Sequence, residues 1–354
     1  MCANNNIDLL ENQIRKFKPE FCVVYNENNA DNLKIKLKDT KTKVLSGMDG
    51  INFISSHERT DYVINALMGE IGLEPTLTAI KSKKNIGLAN KETLVAAGDI
   101  VMSEAKKYGV NILPIDSEHC AIFQCLRGEE NNEIDKIILT ASGGPFYGKN
   151  KNELKKVTVD DALNHPTWKM GKKITVDSAT MMNKGLELIE ACHLFDVSSP
   201  DDIEIIIHRE SIIHSLVQFK DKSVKAQMGL PDMKMCIQYA LTCNNNGKRE
   251  KSMCKELDLT EIKNLSFAKP DNKTFIFPEL ARFAIKEGGT LPAVMNAANE
   301  IAVELFLKEK ISFLRIFDLV QNAALKHKNI KNPDITDIIA ASEDIKRHFI
   351  ADFA

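Results

Sequence analysis

The sequence predicts an α/β protein with a mostly parallel sheet, followed by an α+β domain and a C-terminal helical bundle. Three observations predict this class. Short β-branched runs alternate with helical patterns in the first third of the chain. Strands and a hairpin dominate the middle third, and from residue 278 onward the apolar spacing is helical. A strand–helix rhythm of this kind is typical of βαβ units.

The first third contains five runs of strand length and two amphipathic helical patterns. The strands are predicted at 21–25, 43–45, 62–67, 85–89 and 111–115, and the helices at 73–83 and 91–107. Apolar residues that recur every three or four positions indicate the helices, and short apolar runs indicate the strands.

The middle third has a different pattern, with strands that are not all separated by helices. It predicts strands at 134–141, 174–176 and 203–207, a helix at 185–195, and a hairpin over 212–229. The polar stretch 244–275 is predicted to be a linker. Four helices with short joints follow, at 278–286, 291–308, 312–326 and 335–352.

Bulk composition excludes several classes of protein. The 354 residues include 47 Lys+Arg and 49 Asp+Glu, and the resulting charge of −2 argues against nucleic acid as a partner. No apolar run approaches the ~20 residues that span a bilayer, and the first residues lack the plan of a signal peptide. The eight cysteines form no CxxC pair. We therefore expect a cytoplasmic protein with reduced cysteines and no membrane partner.

A pair of carboxylates follows the strand at 111–115. Asp116 and Glu118 are two residues apart, so on an extended backbone they point to one face. Hard oxygen ligands at the carboxyl end of a strand suit Mg²⁺ or Mn²⁺. An acidic helix N-terminus is the alternative interpretation, because Asp and Glu are ordinary residues in a first helical turn.

A second polar cluster occupies residues 177–187. Ser178, Asn183 and Lys184 are neutral and cationic donors at a predicted helix N-terminus, which favours phosphate binding. Glu187 is expected in the first turn, where it could complete a metal site with Asp116 and Glu118. A polar loop before a capped helix is the alternative.

Three further segments are candidates for a site. The run 140–146 (TASGGPF) places Ser142 and two glycines after a strand, where backbone amides can approach an anion, although the run taken alone favours a plain turn. In 165–171 (HPTWKMG), Trp168 and Met170 suit a lid, or they simply cover core. The run 89–92 (ANKE) lies at another strand–helix junction, and Ser211 lies between two histidines on a strand.

Five blocks, taken in order, are far more specific than any one of these segments. They are LANKE, PIDSEHCAIFQCL, TASGGPF, HPTWKMGKKITVDSATMMNKGLELIEA and HRESIIHSLVQFKDKSVKAQMGLPDM. Together they resemble the 1-deoxy-D-xylulose 5-phosphate reductoisomerase family, whose members act in isoprenoid precursor synthesis. The similarity runs through essentially the whole chain.

The resemblance implies a homodimeric enzyme that uses NADPH and one Mg²⁺, Mn²⁺ or Co²⁺. It implies an NADPH-binding domain over 1–116, a catalytic domain over 117–243 with a flap at 164–173, the linker, and a helical domain over 276–354. The expected reaction converts 1-deoxy-D-xylulose 5-phosphate into 2-C-methyl-D-erythritol 4-phosphate, by a carbon–carbon rearrangement followed by hydride transfer.

The resemblance also implies the roles of individual residues. The metal ligands would be Asp116, Glu118 and Glu187, and the catalytic residues Lys91, His165 and Glu118. The substrate-binding residues would be Ser117, Ser142, His165, Trp168, Met170, Ser178, Asn183, Lys184, Ser211 and Met233. The cofactor-binding residues would be Asn6, Ala66, Ala89, Asn90, Glu92 and Gly171.

One motif of the family is missing. The glycine-rich turn that follows the family's first strand is absent, so the sheet domain is expected to be an incomplete Rossmann-like domain with one uncovered edge. We expect this chain to bind NADPH poorly, and strong binding in a titration would refute that expectation. The alternatives are a nucleotide-independent, metal-dependent sugar-phosphate isomerase or aldolase, and a non-catalytic remnant.

Overall fold

The computed structural model describes residues 1–197, 199–243 and 249–353. Within these residues the chain forms two compact units. The first comprises residues 1–87 and 103–112, and the second comprises residues 88–102 and 113–354. The chain therefore passes more than once between the units.

The first unit begins with three parallel strands in the order β1-β2-β3. They are β1 (Cys2–Ala3), β2 (Phe21–Val24) and β3 (Lys43–Ser46), each followed by a helix, α1 (Ile7–Phe17), α2 (Glu27–Lys36) and α3 (Gly47–Ser56). The Asn6 and Asn26 side chains accept hydrogen bonds from backbone amides of the first turns of α1 and α2. Leu10, Ile14 and Leu33 pack with Cys22 and Val24 of β2 into one core.

A second three-stranded sheet has the order β4-β5-β6. It contains β4 (Tyr62–Asn65), β5 (Asn85–Leu88) and β6 (Ile112–Pro114). The connecting helices are α4 (Leu73–Lys81) and α5 (Lys91–Tyr108), and α5 is interrupted by a non-helical residue, Ala97. The predicted strand–helix alternation of the first third is confirmed.

The second unit is built on a mixed four-stranded sheet in the order β10-β9-β7-β8. Its strands are β7 (Ile134–Ala141), β8 (Ile203–Ile207), β9 (Ile213–Phe219) and β10 (Val224–Met228), and its helices are α6 (Ser117–Leu126), α7 (Val159–Leu163), α8 (Lys172–Ala179), α9 (Met182–Leu194) and α10 (Met233–Thr242). Strand β7 pairs in parallel with β8 and antiparallel with β9.

Four helices complete the second unit. They are α11 (Phe277–Glu287), α12 (Leu291–Leu307), α13 (Phe313–Lys326) and α14 (Ile335–Phe353). Phe277 and Phe313 are almost fully buried and belong to the core that also contains the apolar residues of β7. Because these helices share a core with the mixed sheet, they support the elements that carry the site.

One predicted element is wrong. Residues 174–176 are not a strand; they lie inside helix α8. The Ile-Thr-Val run has high strand propensity, but a short apolar run does not distinguish a strand from a buried helix. Val176 is fully buried within the core of the second unit, so packing overrides the local preference. Helices α1–α3, α7 and α10 were not predicted.

The three-domain division stays a prediction, as do its boundaries. Part of the predicted linker, residues 244–248, lies outside the described residues. Of the remainder, Ala268 forms an antiparallel bridge with Ile207 at the end of β8. Among the described residues, none of the helices combines the length and the apolar character that a membrane span requires.

Candidate active site

The second unit contains a cavity of about 270 Å³ next to the carboxyl end of β7. Every residue that the sequence predicted as catalytic, substrate-binding or metal-ligating lines it. These residues are Lys91, Asp116, Ser117, Glu118, Ser142, His165, Trp168, Met170, Ser178, Asn183, Lys184, Glu187, Ser211 and Met233. Segments up to 142 positions apart in the sequence, from Lys91 to Met233, therefore converge on one site.

Three carboxylates meet on one side of the cavity. Asp116 caps the N-terminus of α6 and accepts a hydrogen bond from the Glu118 amide at 3.2 Å, and Glu118 lies in the first turn of that helix. Glu187 lies on α9, in the second turn rather than the first, because α9 begins at Met182. One oxygen from each carboxylate lies within 4.8 Å of the other two. The chain thus places three hard oxygen ligands close enough together to share one divalent cation.

Two buried lysines compensate these charges. Lys91 Nζ lies 2.5 Å from Asp116 Oδ2 and 3.1 Å from Glu187 Oε1. Lys184 Nζ lies 2.7 Å from Glu118 Oε1 and also contacts Glu187 Oε2. Asn183 donates its side-chain amide to Glu187 Oε1 and accepts from Lys91 at 2.9 Å. Since buried charges are stable only when paired, the lysines hold the carboxylates together.

The pKa values of these groups follow from burial and from their neighbours. Burial raises the pKa of Glu118 to about 7, and the charge of Glu187 adds to the effect. Burial acts in the same direction on Asp116, but Lys91 and His119 outweigh it and hold its pKa well below the usual value. For Lys184, burial lowers the pKa, but Glu118 and Glu187 outweigh burial and raise it overall. The lysine therefore stays charged at neutral pH.

Hydroxyl groups also line the cavity. The His165 Nε2 atom lies 3.0 Å from Ser142 Oγ and 3.2 Å from Ser178 Oγ, so one imidazole links the two serines. Ser142 follows β7, as predicted, whereas Ser178 lies in the last turn of α8. Between α8 and α9, Met181 adopts a left-handed conformation with φ of 64°. This break starts a new helix and places Asn183 and Lys184 in its first turn.

The segment between α7 and α8 covers the serines. The backbone amides of Thr167 and Trp168 donate to His165 Nδ1 at 3.2 and 3.0 Å. Burial lowers the pKa of His165 to about 4, and the nearby charge of Arg209 lowers it further. His165 is therefore a neutral side chain at physiological pH. The Trp168 ring lies 6.5 Å from that of His214, which puts the lone tryptophan over the cavity.

Sequence reasoning missed a residue that shapes this side of the site. Arg209 donates from Nη1 to the carbonyl oxygens of Ser142 (2.7 Å) and Gly144 (2.8 Å). Its guanidinium also lies 5.0 Å from the centre of the Tyr147 ring. An arginine two residues before Ser211 in the HRES block was the available signal, but nothing in the pattern indicated that it binds backbone carbonyls.

The predicted cofactor residues divide between the units. In the first unit, Asn6 caps α1 and Ala66 lines a cavity of about 600 Å³ that also adjoins β1 and β4. In the second unit, Ala89 lines the active-site cavity. Asn90 accepts a hydrogen bond from the Thr93 amide, Glu92 is paired with Lys173 at 2.9 Å, and Gly171 precedes α8. Their role in binding a cofactor stays a prediction.

Family models match most of the chain. The model for 1-deoxy-D-xylulose 5-phosphate reductoisomerase matches residues 1–98, and two models for C-terminal domains of the same enzyme match residues 112–195 and 228–348. Among curated relatives, the reductoisomerase of Acetivibrio thermocellus is 52% identical over 339 residues, which are 96% of this chain and 88% of the relative. The reductoisomerase of Halothermothrix orenii is 50% identical, over 96% of this chain and 87% of the relative.

Solved structures agree with the sequence relatives. A DOX-P reductoisomerase in complex with NADPH, fosmidomycin and magnesium has a TM-score of 0.93 at 39% identity, with 99% of this chain and 90% of that chain covered. The Zymomonas mobilis reductoisomerase in complex with NADPH has a TM-score of 0.91 at 38% identity and the same coverage.

Fold, site and relatives together define an α/β reductoisomerase enzyme. The chain belongs to the 1-deoxy-D-xylulose 5-phosphate reductoisomerase family. The predicted family and fold class are confirmed.

Proposed function

We propose that this chain converts 1-deoxy-D-xylulose 5-phosphate into 2-C-methyl-D-erythritol 4-phosphate with NADPH and a divalent metal ion. The observation that carries the proposal is one cavity that is lined both by three carboxylates and by the side chains proposed to bind phosphate. Family membership supports the same reaction. A solved relative binds NADPH, fosmidomycin and magnesium together, which supports both cofactors.

The three carboxylates fit a divalent cation. Asp116, Glu118 and Glu187 would hold it, and all three offer hard oxygen atoms of the kind that Mg²⁺ and Mn²⁺ prefer. When bound, such an ion supplies Lewis-acid polarisation of a ketone oxygen and a fixed orientation for the neighbouring hydroxyl. Lys91 and Lys184, which already neutralise the carboxylates, lower the cost of keeping three negative charges in one buried place.

The remaining residues bind and enclose the substrate. Ser142, Ser178, Asn183 and Lys184 would hold its phosphate, and this remote binding energy fixes the reacting carbons in position. His165, Trp168 and Met170 would close over the bound substrate and exclude water from the intermediate. Lys91 and Ser117 would contact the sugar hydroxyls.

The proposed reaction has two stages, and atoms and electrons balance in each. One carbon–carbon bond breaks and another forms, which turns the ketone into a branched aldehyde without net oxidation. Hydride from NADPH and one proton then reduce the aldehyde to the alcohol. Neutral His165 binds the two serine hydroxyls without adding a charge.

The decisive experiment follows the nicotinamide absorbance of NADPH with 1-deoxy-D-xylulose 5-phosphate and Mg²⁺, with the product identified by NMR. We expect one NADPH to be oxidised for each methylerythritol phosphate formed, and no reaction after the metal is chelated. Rearrangement without NADPH oxidation would instead support the nucleotide-independent isomerase, and no turnover would support the non-catalytic remnant. The comparisons support neither alternative, nor the expected weakness of NADPH binding.

A homodimer is part of the proposal. Strand β10 forms one edge of the mixed sheet, and the neighbouring helix α10 exposes Met233, Ile237 and Leu241 at helical spacing. An open sheet edge beside an apolar stripe suits pairing with a second copy of the chain. Light scattering should give a molar mass of about twice 39.6 kDa, and Ile237→Glu should lower it. A monomer at micromolar concentration would contradict this.

Location in the cytoplasm stays a prediction.

A further inference from the structure

Beneath the three carboxylates lies a buried pair of side chains that the proposed reaction does not use. His119 lies on α6, one turn after Asp116, and Glu190 lies on α9, one turn after Glu187. The exposed fraction is 0% for His119 and 1% for Glu190. Two buried titratable groups need a reason to be there, because burying them is costly.

His119 touches both segments that carry the carboxylates. Its Nε2 atom lies 2.9 Å from the backbone carbonyl oxygen of Glu187. Its Nδ1 atom lies 3.3 Å from Asp116 Oδ1 and 3.4 Å from Glu190 Oε2. The ring stacks in parallel on Phe195, with centroids 6.2 Å apart and planes 7° apart, which fixes its orientation. One imidazole thus connects α6 with α9.

The positions of the hydrogens on the His119 ring follow from the groups that its two nitrogen atoms contact. A carbonyl oxygen only accepts, so the Nε2 atom of His119 carries a proton. Its Nδ1 atom then faces the oxygens of Asp116 and Glu190, and two carboxylates and a ring lone pair would repel one another. A proton on Nδ1 or on Glu190 removes the repulsion. Among the described residues, Nδ1 and both Glu190 oxygens otherwise have no hydrogen-bond partner.

The contact determines which oxygen of Asp116 is available. Oδ1 accepts from the Glu118 amide at 3.2 Å and faces His119, whereas Oδ2 contacts Lys91 at the cavity wall. A carboxylate that is held by one oxygen can present only the other to the cavity. The same imidazole holds the backbone of Glu187 and so limits movement of a second carboxylate.

We propose that His119 and Glu190 are positioning residues that hold Asp116 and Glu187 in the geometry needed to bind the metal ion. The inference rests on the proposed metal site, and it adds two residues that contact neither the cavity nor the substrate. Outer-shell partners of this kind typically change metal affinity by about 10–100-fold.

The test measures metal affinity and turnover separately. Mn²⁺ binding to the chain is measured by electron paramagnetic resonance of the free ion, and the activation constant for Mg²⁺ is measured in the NADPH assay. His119→Leu and Glu190→Leu should each weaken Mn²⁺ binding by about 10–100-fold. Saturating Mg²⁺ should restore most of kcat, because neither residue contacts the substrate.

The double variant tests whether the two residues act as one unit. Because the effects of a coupled pair are not additive, the double variant should lose little more affinity than either single variant. His119→Gln keeps a donor near the position of Nε2, and it should retain more affinity than His119→Leu. Ile189→Val, a fully buried change at the neighbouring position, is the matched control and should bind Mn²⁺ as the wild type does.

Three results would overturn the proposal. Folded His119→Leu could bind Mn²⁺ within twofold of the wild type, Ile189→Val could weaken binding as much as the pair variants do, or the two single losses could simply add. If the leucine variants do not fold, the comparison of His119→Gln with Ile189→Val replaces them. The glutamine has no atom at the position of Nδ1, so His119→Gln should weaken Mn²⁺ binding by about tenfold, and binding within about twofold of Ile189→Val would contradict the proposal. Mn²⁺ binding that is strong in the wild type without any turnover would overturn the proposed function and leave this inference standing.

Discussion

Glu118→Gln should reduce reductoisomerase activity by more than 100-fold while the protein stays folded. The substitution removes one of the three negative charges that would hold the metal ion. The expected loss exceeds the 10–100-fold that an outer-shell partner costs, because Glu118 would be a direct ligand. Activity is measured as kcat/KM at saturating NADPH, and Mn²⁺ affinity is measured on the same sample.

Glu118 is the best of the three carboxylates for this test because a glutamine side chain at this position can still hydrogen-bond to both of its partners. Its Oε1 atom accepts from Lys184 at 2.7 Å, which a glutamine oxygen also does. Its Oε2 atom accepts from the Ser117 hydroxyl at 2.6 Å, and a glutamine NH₂ can donate to that hydroxyl instead. Glu187 lacks this property, since Lys91, Asn183 and Lys184 all donate to it. Breaking such a buried pair costs about 3–5 kcal/mol of stability.

Glu304→Gln is the matched control. Glu304 lies on α12 in the same unit, its side chain is 53% exposed, and its ion pair with Lys308 is of the surface kind that contributes little. This variant should keep wild-type activity and metal affinity. If Glu118→Gln retained a tenth or more of the wild-type kcat/KM, Glu118 would not be a metal ligand.

The position of the site was predictable because it depends on where strands end. Asp116 follows β6 and Ser142 follows β7, and both segments were identified from apolar runs alone. Strand β7 pairs in parallel with β8, and polar residues at the carboxyl ends of parallel strands lie where ligands bind. The sequence therefore indicated which residues to consider, although each segment by itself had an equally ordinary structural explanation.

Contacts between distant residues were not predictable from the pattern. Lys91 reaches Glu187 across 96 positions, and His119 reaches the Glu187 carbonyl across 68. Periodicity reports which residues share a face of one element and carries no information on which elements meet. The left-handed Met181 is a further example, since a methionine gives no local signal for positive φ.

The false strand at 174–176 shows how one local error spreads. With a strand there, Ser178 would begin a helix, whereas it lies in the last turn of α8. The donors of the predicted phosphate site thus come from the end of one helix and the start of the next. Their arrangement depends on the loop after β7, which packs directly against the end of α8.

Gly144→Ala should raise the KM for the phosphorylated substrate by at least tenfold, which corresponds to about 1.4 kcal/mol of lost binding. Gly144 has φ of +64°, and a Cβ atom there would lie 2.6 Å from the backbone oxygen of Ser178 and 3.1 Å from Ala179 Cα. Backbone atoms cannot turn aside as a flexible side chain can. The loop or the end of α8 must therefore move, and Ser142 and Ser178 would separate.

Gly148→Ala is the matched control, because it introduces the same backbone strain as Gly144→Ala without the steric contact. Gly148 lies in the same loop with φ of +82°, but a Cβ atom there meets nothing within 4 Å. Both alanines adopt a left-handed conformation at a cost of about 1–2 kcal/mol. Both variants should therefore be destabilised in thermal unfolding, and only Gly144→Ala should also lose affinity for the substrate. Equal KM values for the two variants would show that the close approach of the loop to Ser178 does not hold the phosphate-binding residues in place.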